Sequence, residues 1–325
     1  MIQVQSLTKK FEQFVALDSV TCTIPSGCIY GLVGSNGAGK STLLRLLTGV
    51  YKPDSGSVTL DGAPVYENPA MKAKIAYIPD ELYFLSGATM NRMTKLYASL
   101  FDTFSKDRYE FLTKSFNLNP AVPLNSFSKG MRRQAAIILA LSCRPDYIFF
   151  DETFDGLDPV MRGLVKSLIC EDVAERGATA IITSHSLREL EDTCDQLALL
   201  HKGGLVMESD IQNLKTSLFK VQIALTRAYD QSIFAGIDVL QFHKSGSVSN
   251  MIIRGDREEA VARLRALSPV LLDILPLSLE EVFTFELRER GYSFESVIQE
   301  LQGDEAKEAA SEAASSEKEG ITHEK

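Results

Sequence analysis

No stretch of this chain is apolar for long enough to cross a membrane. The longest uninterrupted run, Ala135–Leu141, falls far below the ~18 residues that a span requires. The opening MIQVQSLTKKF has no apolar core of the kind a secretory leader needs. Cysteine is sparse: the five residues, at 22, 28, 143, 170 and 194, form no C-x-x-C, and no histidine stands near enough in sequence to complete a zinc module. Their odd number reads as reduced thiols in a cytosolic protein. Positive charge is in deficit, with 34 Lys+Arg against 43 Asp+Glu and a net charge of -9. Such a chain is a poor partner for nucleic acid, whose phosphates want a basic surface. No internal repeat divides it. What is present is ordinary globular composition, 45% hydrophobic and 24% charged. Its 325 residues suggest about two domains. The expectation is a soluble intracellular protein that reaches a membrane only if a partner holds it there.

Hydrophobic periodicity supplies the element order. Ile2–Leu7 and Val20–Ile24 alternate as strands. Cys28–Val33 reads as a buried parallel strand ending in a Gly-rich loop. A helix follows over Ser41–Val50. Val58–Leu60 and Ala63–Val65 form a hairpin about Asp61-Gly62. The pattern from Thr89 to about Phe116 is helical. Ser128 caps a helix through Arg132, Ile137 and Leu141. Tyr147–Phe150 is a buried strand ending in two carboxylates. Asp158 and Pro159 start a helix that Gly177 ends. Thr179–Thr183 is a further buried strand, and Ser186 with Glu189 reads as a capping box. Strand and helix in alternation point to a doubly wound α/β domain. Past Ile211 the pattern becomes a small α+β domain, with strands Phe219–Leu225, Val239–Phe242, Ser247–Ile253 and Val270–Ile274 and a helix over Arg257–Leu267. From Gly303 onward apolar bulk is nearly absent, which reads as a disordered tail.

Gly34-Ser35-Asn36-Gly37-Ala38-Gly39-Lys40-Ser41-Thr42 fits G-x-x-x-x-G-K-[ST] between a strand and a helix, the context that motif requires. Its glycines let backbone N–H groups turn toward a phosphate, and the helix N-terminus adds its positive end. Lys40 is placed to reach β- and γ-phosphates, and the Ser41 hydroxyl to ligate Mg²⁺. Ile148-Phe149-Phe150-Asp151-Glu152 pushes two carboxylates out at the C-terminal end of a strand, the edge where open α/β sheets bind ligands. Asp151 can hold Mg²⁺ through water, and Glu152 can orient or deprotonate an attacking water. A strand followed by an acidic loop is the bland alternative.

Phe127-Ser128-Lys129-Gly130-Met131 completes the set, and with it the chain resembles an ATP-binding subunit of an ABC transporter. Ser128 and Gly130 match the most diagnostic positions of that family's signature string. The resemblance implies that this segment contacts ATP held mainly by a second ATP-binding subunit, identical or different. Gly156-Leu157-Asp158 resembles the loop that crosses the dimer interface, although Asp158 also suits an ordinary helix cap. His185 falls at the family's switch histidine, implying a γ-phosphate contact. Phe11 falls at the aromatic that stacks on adenine, with Phe14 as the alternative. The implied fold is α/β: a P-loop NTPase doubly wound sheet with an antiparallel N-terminal β-subdomain and an inserted helical subdomain. The ATP-binding domain covers 1–210, with the helical subdomain at about 85–135. A small α+β domain covers 211–290, and 291–325 is a helical or disordered acidic tail.

One position departs from the family. Where Gln is usual, after Ile75–Pro79, this chain has Asp80. Asp80 is a candidate Mg²⁺ ligand that adds negative charge near the triphosphate; alternatively it only caps a turn. The resemblance implies an ATP-hydrolysing subunit with ATP and Mg²⁺ as cofactors and Glu152, His185 and Lys40 as catalytic residues. It further implies a separate transmembrane permease that holds this subunit at the inner face of the cell membrane. The signature variant and the string Ser278-Leu279-Glu280-Glu281-Val282-Phe283 are similar to the ABC-2-type export branch. Two other readings stand beside it: a non-transport ABC ATPase of the translation or repair type, and a regulatory subunit that hydrolyses weakly.

Overall fold

The computed structural model describes residues 1–211, 218–275 and 277–283. The tail expected over 291–325 lies outside the described residues. The chain divides into two units, one built on Met1–Glu208 and one on Ser209–Phe294.

The first unit opens with β1 (Ile2–Phe11) and β2 (Phe14–Ile24), paired antiparallel. β1 runs four residues past the expected Leu7. The period-2 signal stops there because the register shifts at Val4/Leu7 and again at Lys9, leaving Leu7 and Thr8 both buried. β3 (Ile29–Val33), entirely buried, leads into α1 (Lys40–Leu47). The helix ends before the expected Val50, because Gly49 turns left-handed at φ +66°. β4 (Ser55–Leu60) and β5 (Ala63–Pro64) make the expected hairpin, with Asp61 and Gly62 both at positive φ. β4 pairs with β1, giving an antiparallel sheet of order β2-β1-β4-β5.

A short α2 (Pro69–Lys72) precedes β6 (Ile75–Ile78). The helical insertion follows as α3 (Met90–Leu100) and α4 (Lys106–Ser115), each capped by a hydroxyl, Thr89 and Ser105. α5 (Lys129–Ser142) starts at the Ser128 cap and is buried almost without break from Ala135 to Ser142. β7 (Tyr147–Asp151) is buried throughout. α6 (Pro159–Arg176) takes Asp158 as N-cap and left-handed Gly177 as C-cap, as its sequence signals require. β8 (Thr179–Ser184), α7 (Leu187–Glu191) and β9 (Gln196–His201) follow, and β10 (Gly204–Asp210) runs across the boundary at Glu208. The capping box expected at Ser186 does not form. The Ser186 side chain makes no cap bond, and Glu189 instead accepts from Ser184 Oγ at 2.8 Å.

The second sheet has the order β10-β9-β3-β8-β7-β6, with β9, β3, β8, β7 and β6 mutually parallel. α1 fills the space between the two sheets. Leu43, Leu44, Leu46 and Leu47 join a core with Ile2, Leu17, Tyr30, Phe149 and Ile181. Each such side chain contributes about 1.5–3 kcal/mol by leaving water.

In the second unit β11 (Leu218–Ala224), β12 (Asp238–Ser245), β13 (Val248–Arg254) and β14 (Leu271–Leu275) form an antiparallel sheet of order β12-β13-β11-β14. Its helix α8 (Arg257–Arg265) buries Ala260 and Leu264 against Val221, Ile223 and Ile253. Within the string beginning at Ser278, Leu279, Val282 and Phe283 are buried and Glu281 pairs with Lys220 at 3.3 Å.

Candidate active site

The sheet order explains where chemistry can occur. β3, β8, β7 and β6 lie side by side and parallel, so their C-terminal ends open on one edge. The loop after β3 begins at Gly34, where a Cβ would stand 2.4 Å from the Leu200 carbonyl oxygen. No side chain fits, and that close approach holds the loop against β9. The loop then enters α1 with Lys40. Lys40 is 4% exposed. Its ammonium donates to the Gly34 and Ser35 carbonyls at 2.6 and 3.2 Å and pairs with Glu152 Oε1 at 2.9 Å.

β7 delivers Asp151 beside Ser41. Three hydroxyls donate to this carboxylate. Ser41 Oγ reaches Oδ1 at 2.9 Å, Thr183 Oγ1 reaches Oδ1 at 3.1 Å, and Tyr77 OH reaches Oδ2 at 2.9 Å. Burial raises the Asp151 pKa above the usual carboxylate value, with the neighbouring Glu152 charge adding to the rise and the three hydroxyls opposing it. Burial, then Asp151, pushes the Tyr77 phenol well up, so it stays a donor. Glu152 turns out of the strand at φ 45°, a left-handed backbone that a non-glycine residue adopts only under constraint. One constraint is its N–H, which donates to Thr183 Oγ1 at 2.9 Å.

A cleft of about 320 Å³ lies along the loop, lined by Ser35, Gly37, Lys40, Ser41, Asp80 and Glu152, with Phe14 and Ala16 at its side. Phe14, not Phe11, is the aromatic at this cleft. The two face each other across the β1–β2 register. Phe11 is drawn aside by Tyr51, edge-on at 5.5 Å. Phe14 stays 63% exposed, a ring surface open to a planar ligand. Asn36 and Thr42 also line the cleft. Ala38 is buried behind it, with its carbonyl accepting from the Gly203 N–H at 3.0 Å.

His185 is buried at the end of β8, with Nδ1 3.6 Å from Asp155 Oδ2. Glu152, Asp155 and His185 each bring one ligand-type atom into a group within 4.8 Å. Asp80 lines the cleft, but its carboxylate pairs with buried Arg133. Ser128, Gly130 and Asp158 are not among the cleft's lining residues. Ser128 Oγ accepts the Met131 N–H at 3.2 Å, and Asp158 accepts the N–H groups of Val160 and Met161 at 3.0 Å. A Cβ on Gly130 would stand 3.0 Å from the Gly156 carbonyl oxygen, so the turn before α6 rests on the first turn of α5.

Sequence reasoning passed over four residues: Tyr77, Thr183, Arg133 and Asp155. Tyr77 and Thr183 were legible only as strand positions. Arg133 carried a usable signal, because it lies four residues before Ile137 on the buried stripe of α5, where a charge needs a partner.

The chemistry of the donor set suits a hard divalent cation, since a hydroxyl and a buried carboxylate oxygen stand side by side. The geometry agrees with what the chain is similar to. A family model described as "ABC transporter" matches residues 17–155. The ABC transporter ATP-binding protein YtrB of Bacillus subtilis (strain 168) is 30% identical over 286 residues, spanning 87% of this chain and 97% of YtrB. The bacitracin transport ATP-binding protein BcrA of Enterococcus faecalis is 30% identical over 217 residues, 66% of this chain and 70% of BcrA. A solved ATP-binding subunit of an ABC transporter superposes with a TM-score of 0.61 at 27% identity, covering 66% of this chain and 92% of that one. Among the described residues no helix is long and apolar enough to cross a membrane. The chain belongs to the ABC transporter family, as an ATP-binding and ATP-hydrolysing subunit.

Proposed function

We propose that this subunit works in a pair, each ATP gripped by the Lys40 loop of one copy and the Ser128 segment of the other, and that closure drives export through a separate transmembrane permease. The pairing of Ser41 with Asp151 and of Lys40 with Glu152, each at 2.9 Å, carries the assignment of roles. Lys40 and the loop amides bind the phosphates, and Phe14 offers its exposed ring to the base. Ser41 and Asp151 would hold Mg²⁺, which supplies neutralisation of phosphate charge. Glu152 orients and deprotonates water, and His185 contacts the γ-phosphate. The Ser128 and Asp158 helix starts lie outside this chain's own cleft, which supports their facing a nucleotide on a second copy.

Permease docking is supported by a groove of about 400 Å³ between the end of β6 and the helical insertion. Tyr83, Leu85, Leu96 and Leu100 line it and are exposed, Tyr83 by 85%. Exposed apolar surface of this kind marks an interaction site. Attachment there would hold the subunit at the inner face of the membrane. The export direction rests on the signature variant, in which Lys129 and Met131 depart from the family's consensus, and on the C-terminal extension with its string from Ser278. Glu152→Gln tests the core of the reading. ATP binding is retained, turnover falls ~100-fold or more, and an ATP-bound dimer accumulates in sedimentation. Hydrolysis at the parental rate would remove Glu152 from the base role.

A further inference from the structure

Arg133 is a charge buried where α5 is otherwise apolar. It is 2% exposed and heads the fully buried side chains by volume. A guanidinium cannot shed its proton, so burying one requires a fixed partner. That partner is Asp80. Nη2 donates to Asp80 Oδ1, and it also approaches the Asp80 carbonyl at 3.5 Å. Asp80 follows β6 and lines the cleft beside Lys40 and Ser41. The second terminal nitrogen, Nη1, is buried without a hydrogen-bond partner. It lies against the turn before α6, since a Cβ on Gly156 would be 3.5 Å away. Gly130, three residues earlier on the same face of α5, meets the carbonyl of that same Gly156. One arginine thus joins three segments: the Asp80 loop at this chain's own nucleotide cleft, the helix that Ser128 begins, and the turn that carries Asp155 and Asp158.

We infer that Arg133 is a positioning residue, a latch that makes the Asp80 loop, α5 and the Gly156 turn move as one body. The inference rests on the pairing of subunits proposed above. It also accounts for Asp80. The charge at a position where the family usually has Gln is answered from inside α5, so the loop brings little uncompensated negative charge to the triphosphate. A state of the cleft sensed at Asp80 is passed to the surface that grips the nucleotide of the second copy.

The test uses the full chain, with ATP affinity by calorimetry, steady-state kcat and KM, and ATP-dependent dimerisation in a Glu152→Gln background. Arg133→Gln keeps ATP affinity within about twofold, because the Lys40 loop is intact, while kcat and the dimerisation constant each fall about tenfold or more. Asp80→Gln behaves alike. The double variant Asp80→Gln/Arg133→Gln strands no charge, so its urea midpoint recovers toward the parent, while kcat and dimerisation stay about tenfold or more below it because the tie is gone. A merely structural pair predicts otherwise: affinity and kcat fall together in the singles, and the double variant recovers kcat and dimerisation along with stability. That result overturns the latch, as do singles with parental kcat and dimerisation. Should Arg133→Gln not fold, Arg133→Lys decides, since it keeps the charge and loses the fork; parental dimerisation in that variant counts against the latch. If the parent protein shows no ATP-dependent dimer, it is the pairing of subunits that fails.

Discussion

Replacing Thr183 by Val would remove one oxygen atom and keep the side-chain shape, which makes it a sharp probe of this site. Thr183 is 1% exposed. Its hydroxyl accepts the Glu152 N–H at 2.9 Å and donates to Asp151 Oδ1 at 3.1 Å. In the valine variant the amide is stranded, at about 1–3 kcal/mol, and the carboxylate loses one of its three hydroxyl donors. Because Ser41 and Tyr77 still serve Asp151, the lower part of the summed range applies, about 2–4 kcal/mol. For a domain of this size that lowers the melting temperature by about 5–15 °C. Catalysis suffers separately. Glu152 holds φ 45°, a left-handed backbone costing about 1–2 kcal/mol. Freed of its tether the residue relaxes, and on the base role proposed for Glu152 a shift of even ~1 Å lowers kcat up to ~100-fold. Urea denaturation and steady-state ATPase rates measure both, with Thr183→Ser as the rescue that keeps the hydroxyl. If Thr183→Val loses less than about 0.5 kcal/mol, below the usual value of a buried hydrogen bond, and keeps parental kcat, the bond network does not hold Glu152.

Thiol chemistry should separate one cysteine from four. Cys170 is exposed while Cys22, Cys28, Cys143 and Cys194 are buried, and burial pushes the thiols of Cys22 and Cys143 up to about 12. Ellman's reagent at mildly alkaline pH should titrate a single thiol in the native protein and the rest only on unfolding; a second fast thiol would contradict the packing. Asp151→Asn in chelating buffer should leave the protein at least as stable as the parent near neutral pH, because a buried carboxylate is replaced by a neutral group that still accepts from Ser41 and Thr183. The Asp151 pKa is raised in the fold, so the folded state binds the proton more tightly than the unfolded one. The parent therefore gains on the variant as pH falls through the folded pKa toward the ordinary carboxylate value. Urea midpoints that diverge further on acidification would contradict the burial cause.

Much of the architecture could be read from local signals because those signals agree with the tertiary structure. Asp158, Pro159 and Gly177 bound α6 as capping chemistry requires, and Ser128 starts α5 with the hydrogen bond its side chain announces. The carboxylates of Asp151 and Glu152 emerge where a wholly apolar strand must end. What stayed hidden depends on pairing across long sequence separations. Nothing in Ile75–Pro79 says that Tyr77 reaches Asp151, and nothing near Ser186 says that Ser184 intercepts Glu189 and prevents the capping box. Phe11 and Phe14 could not be separated by sequence, since only Tyr51, far along the chain, draws one ring away. Bulges erased the alternation that would have extended β1 to its full length.

The placement of β6 directly beside β7 has a consequence for how such a protein can vary. The whole helical insertion is looped out between two neighbouring strands, so its length and content do not set the spacing of Tyr77 and Asp151, which the β6–β7 pairing dictates. The inserted helices can therefore be redesigned as an interchangeable module while the strand edge that carries Asp151 stays in register. The tie from Asp80 to Arg133 is the condition on that freedom, because any replacement module must still return the one charge that this loop expects to meet.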